Sequence, residues 1–338
     1  MKTELLSATA AGIDRAAELL KKGELIGMPT ETVYGLAANA CNPEAVANIF
    51  AAKGRPSDNP LIVHIADVEM LSELAEDIPD MAYRLAEKFW PGPLTMILKK
   101  NSCIPMITSG GLNTVGIRMP NHEAALMLIK KSGLPIAAPS GNISGYPSPT
   151  KASHMMRDMN GKIAAIIDGG ECSVGVESTV ISFENCNTVR ILRPGGVTRE
   201  DLLKVVDNVI IDPAILHELQ EGQIVRSPGM KYKHYSPKAH IIMVEGEYSE
   251  FCNYVNAHSK EGVYALIFDN DNKNEISVAA FNYGGDSIQQ AHNIFARLRE
   301  MDSLNADTVY VRAPKADGVG LAVYNRLIRA AGFEVIQV

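Results

Sequence analysis

The sequence is poor in the residues that build metal centres and disulfide frames. Its five cysteines, Cys41, Cys103, Cys172, Cys186 and Cys252, are odd in number, scattered, and nowhere spaced as Cys-x-x-Cys. They read as reduced thiols of a cytoplasmic protein, neither zinc ligands nor a disulfide scaffold. The eight histidines include no His-x-x-x-His pair, so a zincin-type site is not expected. Long apolar runs are missing as well, and nothing approaches the roughly 18 residues that cross a bilayer. The opening Met1-Lys-Thr-Glu-Leu-Leu lacks a basic stretch followed by an apolar one, so no signal peptide is expected. A basic excess is absent too: net charge is −7 and the pI about 5.7, which argues against broad binding to nucleic acid.

What is present is an ordinary globular composition, 46% hydrophobic and 21% charged, over 338 residues. That length predicts two domains, each with its own core. The first part alternates helix and strand patterns, with helical spacing from Ile13 to Lys22 and a strand over Leu25 to Pro29. Asn42-Pro43 predicts a helix start, Asn121 a second ending at Gly133, and Thr150 a third. Strands are expected near 95–99, 114–119, 136–139, 163–168, 179–183 and 189–192, giving a mixed α/β sheet with a concave cleft over residues 1–200. Residues 201–238 read as a linker, of which Arg226–Lys238 carries Lys and Arg but no acid. From Ala239 to Val338 regular strand–helix alternation predicts a small Rossmann-like open α/β domain. It holds no Gly-x-Gly-x-x-Gly or Walker A sequence, so no nucleotide site of its own is indicated.

Five strand-end segments carry the chemistry. Lys53-Gly-Arg55-Pro-Ser-Asp-Asn59-Pro precedes an apolar strand over Leu61–Ile65 and looks like a grip for a polyanion. Alternation on that strand turns His64 away from the Leu61, Val63 and Ile65 face. In Thr114-Val-Gly-Ile-Arg118 a hydroxyl, a glycine and a guanidinium share one face, with room over Gly116 for a ligand. Ala138-Pro-Ser140-Gly-Asn142-Ile-Ser144-Gly can present N–H groups and hydroxyls to phosphate, and Ser148 continues the run. It contains no Gly-x-Ser-x-Gly elbow. Pro29-Thr-Glu-Thr32-Val-Tyr34-Gly and Gly175-Val-Glu-Ser178-Thr-Val are similar loops. Each alone is equally a polar turn; together they predict one cleft for an anionic, phosphorylated substrate. No nucleophile–base set assembles, so positioning and charge neutralisation are expected to do the chemistry.

These motifs in this order closely resemble the YrdC-like threonylcarbamoyl-AMP synthase family in its long form. The matching segments are Pro29–Leu36, Lys53–Leu61, Trp90-Pro-Gly-Pro-Leu-Thr95, Gly116–Pro120, Ala138–Ser144, Glu177–Val180 and Arg193-Pro-Gly195, with Ser227–Pro237 marking the long form. The resemblance implies condensation of L-threonine, bicarbonate and ATP to threonylcarbamoyl-adenylate, with Mg²⁺ carried mainly by the ATP phosphates and no metal held by the protein. It implies a threonine set of Thr32, His64, Arg118, Ala138 and Ser178. It also implies an ATP set of Lys53, Arg55, Asn59, Thr114, Ser140, Asn142, Ser148, Arg193, His234 and Tyr235, in which Lys53 and Arg55 serve catalysis. The implied partners are small molecules and the downstream machinery that transfers threonylcarbamoyl to tRNA, with no membrane and no stable nucleic-acid complex.

Two rivals come from other classes. An RNA-binding module is one, but residues 1–200 carry 19 Lys and Arg against 21 Asp and Glu. The other is the YrdC-like part of hydrogenase-maturation proteins, which comes with acylphosphatase and zinc-finger segments that this sequence lacks. The basic stretch Arg226–Lys238, with Tyr232, His234 and Tyr235, is expected to close over the cleft as a lid.

Overall fold

The computed structural model describes residues 2–217 and 235–338. The Arg226–His234 part of the expected lid, His234 included, lies outside the described residues. The described chain forms two compact units. One comprises residues 2–144 and 148–215, the other residues 145–147, 216–217 and 235–338.

The first unit is built on a twelve-stranded mixed sheet. Its order runs Glu4–Ser7, Ala165–Asp168, Ile26–Met28, Gly35–Asn39, Ile136–Ala137, Ile62–His64, Thr114–Arg118, Leu94–Lys100, Thr179–Asn185, Thr188–Arg193 and Asn208–Ile211, with Ala75–Glu76 pairing beside Leu94–Lys100. The helices follow from local signals. Helix Pro43–Lys53 begins where the Asn42 side chain accepts from Glu44 N and Ala45 N, with proline in the first turn. It stops at Gly54, whose φ of 62° is the left-handed conformation that glycine adopts without strain. Helices Ala10–Lys21 and Glu123–Ser132 bury Ile13, Ala16, Leu20, Ala125 and Leu128 against Ile26, Met28, Ala37 and Ile136 of the sheet. The central strands are covered on both faces, so Leu61, Val63, His64 and Ile65 are all buried.

Register is what brings the site together. Strand Ile62–His64 runs parallel to Thr114–Arg118, with Ile62 opposite Gly116 and His64 opposite Arg118. Leu94–Lys100 follows antiparallel, Met96 facing Ile117, and Thr179–Asn185 pairs parallel with it, Val180 facing Thr95.

The second unit has a five-stranded, all-parallel sheet in the order Ala279–Asn282, Val263–Ile267, Thr308–Arg312, His240–Glu245, Val335–Gln337. Helix Tyr248–Ala257 packs Phe251 and Val255 on Ile242, Val244, Ala265 and Ile267. The open parallel α/β architecture matches the sequence reading. Numbered along this unit, however, the strands lie 3-2-4-1-5, which departs from the 3-2-1-4-5 run of the dinucleotide-binding fold.

Candidate active site

The turn Pro29–Tyr34 joins the antiparallel strands Ile26–Met28 and Gly35–Asn39. It is folded on its own hydroxyls: Thr30 Oγ1 donates to Val33 O at 2.6 Å and lies 2.9 Å from Thr32 Oγ1. Arg118, the last residue of its strand, reaches this turn. Its Nη1 donates to Thr32 Oγ1 at 2.9 Å, its Nε to Gly92 O at 3.3 Å, and its Nη2 lies 2.6 Å from Glu31 Oε2. Because Thr30 spends its proton on Val33, the Thr32 hydroxyl accepts from Arg118 and donates to Thr30. The ion pair is buried, with Arg118 4% and Glu31 5% exposed. The Trp90–Pro93 segment supplies the Gly92 carbonyl and is held by Gly92 N on Met119 O and by the Trp90 indole on Leu94 O.

His64 stands beside Arg118 on the next strand. Burial first, then the Arg118 charge, pushes its imidazole down to about 3, so it is neutral at physiological pH. Its Nδ1 is buried without a hydrogen bond from any described residue. Ala138 docks by its N–H on Ile62 O at 3.0 Å. Ser178 Oγ lies 2.8 Å from Thr95 Oγ1 and accepts from Arg193 Nη2 at 3.1 Å, while Arg193 Nε donates to Ser178 O at 3.0 Å. The glycine of Arg193-Pro-Gly195 is needed for close approach: a Cβ on Gly195 would lie 2.3 Å from Thr179 N and 2.5 Å from Glu177 O. The five residues of the expected threonine set thus lie on, or dock against, neighbouring strands of the sheet centre.

The expected ATP set divides. Lys53 is not in a loop but ends a helix; it is 2% exposed, and its ammonium donates to the carbonyls of Ser140 and, at 2.5 Å, Asn142. Ser144 N returns a bond to Lys53 O at 2.9 Å, so Lys53 clamps the 140–144 loop from both ends of its own residue. Arg55 Nη2 donates weakly to Pro60 O at 3.4 Å. Asn59, 1% exposed, has neither Oδ1 nor Nδ2 bonded to any described residue, which leaves a complete amide for a ligand. Asn142 Nδ2 donates to Ile143 O at 2.8 Å, and the buried Ser148 hydroxyl donates to Glu177 Oε1. Thr114 starts the strand that Arg118 ends, about 13 Å away at strand rise. The room expected over Gly116 does not exist: a Cβ there would meet Thr95 Cγ2 at 3.1 Å and Ile97 Cδ1 at 3.3 Å. Tyr235 belongs to the second unit, where its ring lies 5.2 Å from Phe295 and under Arg326.

Glu31, Thr95 and Glu177 were not singled out by the sequence patterns. Glu31 lies in the middle of a recognised motif, but its partner is 87 positions along the chain, and no local charge pattern marks such a pair.

With this geometry in view, relatives are informative. A family profile for Sua5, YciO and YrdC proteins, described as telomere recombination, matches residues 18–195, and one for the threonylcarbamoyl-AMP synthase C-terminal domain matches residues 197–332. The chain belongs to the Sua5/YciO/YrdC family. The threonylcarbamoyl-AMP synthase of Pyrococcus abyssi is 46% identical over 96% of this chain and 95% of its own length. That of Bacillus subtilis is 44% identical over 99% and 97%. The crystal structure of P. abyssi Sua5 complexed with L-threonine superposes with a TM-score of 0.93 at 43% identity, covering 99% of this chain and 100% of that one.

Proposed function

We infer that this protein is a threonylcarbamoyl-AMP synthase. It condenses L-threonine, bicarbonate and ATP to threonylcarbamoyl-AMP and pyrophosphate, for the threonylcarbamoyladenosine modification of tRNA. Besides family membership, the observation that carries the reading is the buried Arg118, ringed by the Thr32 hydroxyl and the neutral His64. A guanidinium held in a dry, strand-built pocket is suited to a small carboxylate. Threonine binds with its carboxylate on Arg118 and its side chain among Thr32, His64, Ala138 and Ser178. Its amine and bicarbonate give a carbamate, whose oxygen attacks the α-phosphorus of ATP, and pyrophosphate leaves.

The nucleotide lies on the side of Lys53, Arg55, Asn59, Thr114, Ser140, Asn142, Ser148 and Arg193. Lys53 and Arg55 neutralise charge that develops on the phosphates, and the free amide of Asn59 reads the nucleotide. Among the described residues no three His, Cys, Asp or Glu side chains cluster as a metal cage, and the ATP-side set is cations, amides and hydroxyls. Mg²⁺ fits this set as an ion borne by the phosphates, where it neutralises their charge. A cytoplasmic location goes with this reading, as does hand-over of the product to a tRNA-modifying partner without a stable nucleic-acid complex. No helix among the described residues is long and apolar enough to cross a membrane.

The test is mass-spectrometric detection of threonylcarbamoyl-adenylate from ATP, threonine and bicarbonate. Its absence, with pyrophosphate released independently of threonine, would overturn the reading.

A further inference from the structure

Glu31 is the buried carboxylate beside Arg118, and the ion pair does not account for it. Both its oxygens are enclosed and receive no hydrogen bond from any described residue, the nearest approach of Arg118 being Nη2 to Oε2 at 2.6 Å. An enclosed carboxylate oxygen left without a donor is costly, and such atoms persist where a ligand completes them. The turn that carries Glu31 is fixed: Val174 N donates to Glu31 O at 2.7 Å, and Thr30 and Thr32 lock its flanks. The carboxylate is therefore presented, not floating.

We propose that Glu31 receives the ammonium of threonine and takes a proton from it, acting as the base that makes the amine nucleophilic. The proposal rests on the synthase reading above. A bound zwitterion then completes a ring of alternating charge, with the Arg118 guanidinium on the carboxylate and the Glu31 carboxylate on the ammonium, and the pocket gains no net charge. The nitrogen lone pair then attacks the carbon of bicarbonate. A C–N bond forms, a C–O bond breaks, and the departing hydroxyl leaves as water with the second amine proton. Amine plus bicarbonate thus gives carbamate plus water, and the proton on Glu31 returns to solvent.

Other groups that face Glu31 are poorer acceptors. Arg118 offers donors and no acceptor. Burial, then the Glu31 charge, pushes the Cys172 thiol up to about 12, so it keeps its proton. His64, opposite Arg118 in the strand register, is a very weak base. His122 is lowered by burial and has Nε2 on Gly169 O at 3.4 Å, which leaves Nδ1 as the one rival acceptor.

The test compares threonine with its deamino analogue, 2,3-dihydroxybutanoate, as ligands of the wild-type, Glu31→Gln and His122→Gln proteins. The wild type is expected to prefer threonine on the order of tenfold to hundredfold, the size of a charged hydrogen bond, and Glu31→Gln to lose that preference. Threonine-dependent adenylate formation by Glu31→Gln should recover as pH rises and the free amine becomes abundant, with the KM for ATP unchanged. His122→Gln should keep both the preference and the wild-type pH profile. Equal binding of both ligands by the wild type overturns the proposal even if Glu31→Gln does not fold. So does a Glu31→Gln defect that is the same at every pH, or transfer of the effect to His122→Gln. A wild type that forms no adenylate at all would instead count against the synthase reading itself.

Discussion

Replacing Arg118 with alanine should separate two quantities that a simple binding residue would not. The guanidinium is 4% exposed and pairs with Glu31 at 2.6 Å while bonding Thr32 and Gly92. Its removal leaves a carboxylate buried without its partner, which costs about 3–5 kcal/mol of stability. It also removes the proposed charged hydrogen bond to the threonine carboxylate, about 1.5–3 kcal/mol, or roughly a ten- to hundredfold loss in kcat/KM for threonine. Urea unfolding reads the first quantity and threonine titration of adenylate formation the second. Adding Glu31→Gln to Arg118→Ala neutralises the stranded carboxylate, so much of the stability should return while threonine use does not. If the double variant is no more stable than Arg118→Ala, or if ATP use falls in place of threonine use, the assignment of this pair is wrong.

Serine, lacking one methyl, should be a poor but detectable substrate, about 1–3 kcal/mol worse than threonine. Valine, which strands a polar partner in the pocket, should be rejected more strongly; competition assays that rank valine above serine would refute a polar pocket. Lys53→Met should lower stability by about 2–5 kcal/mol, because two carbonyls of the 140–142 segment lose a charged donor. Hydrogen exchange should then speed up at residues 140–144, and unchanged protection there would argue against the clamp. His64 is neutral when folded because its pKa is depressed, so between its unfolded value near 6.5 and about 3 the unfolded chain binds the extra proton. Stability should therefore fall as pH drops through that window by about 1.4 kcal/mol per unit, a slope that His64→Gln should lack. Gly195→Ala, whose Cβ would strike the backbone of residues 177–179, should cost at least about 1–3 kcal/mol and impair threonine use through Ser178; a wild-type melting curve would refute that close contact.

Much of the fold is legible because its signals are local. Asn42-Pro43 marks a helix start by capping, and the strand–helix rhythm after Ala239 predicts a parallel α/β unit that the structure contains. Strand Gly35–Asn39, edge strand Glu4–Ser7 and helix Met70–Leu74 carry no comparable signature, whereas helix Asp80–Phe89 does, with Met81, Ala82, Leu85 and Ala86 at helical spacing behind Pro79, and the sequence reading passed over it. Gly-Leu-Ala-Ala-Asn has neither alternation nor β-branching, and its strand exists because Ile26–Met28 and Ile136–Ala137 flank it. The 3-2-4-1-5 order of the second unit is likewise set by tertiary pairing and leaves no trace in periodicity. At the site, the motifs name the residues but not their partners. Alternation correctly puts Thr114, Gly116 and Arg118 on one face, yet it cannot foresee that Thr95 and Ile97 fill the space over Gly116. The same limit hides Glu31.

The two halves of the site are made of different material, and that has a consequence for how the protein opens. The residues proposed for threonine lie on or beside strands at the middle of a twelve-stranded sheet, where amides are expected to exchange only on global unfolding. Much of the proposed nucleotide side, by contrast, is carried by the 55–60 and 140–144 loops, which are expected to open as small cooperative units. Native-state exchange should therefore show ATP slowing a sub-global opening, while threonine shifts only the slowest, fold-wide class. Variation that retunes the amino-acid pocket is then paid in fold stability, whereas the nucleotide loops are free to drift with little risk to the folded state.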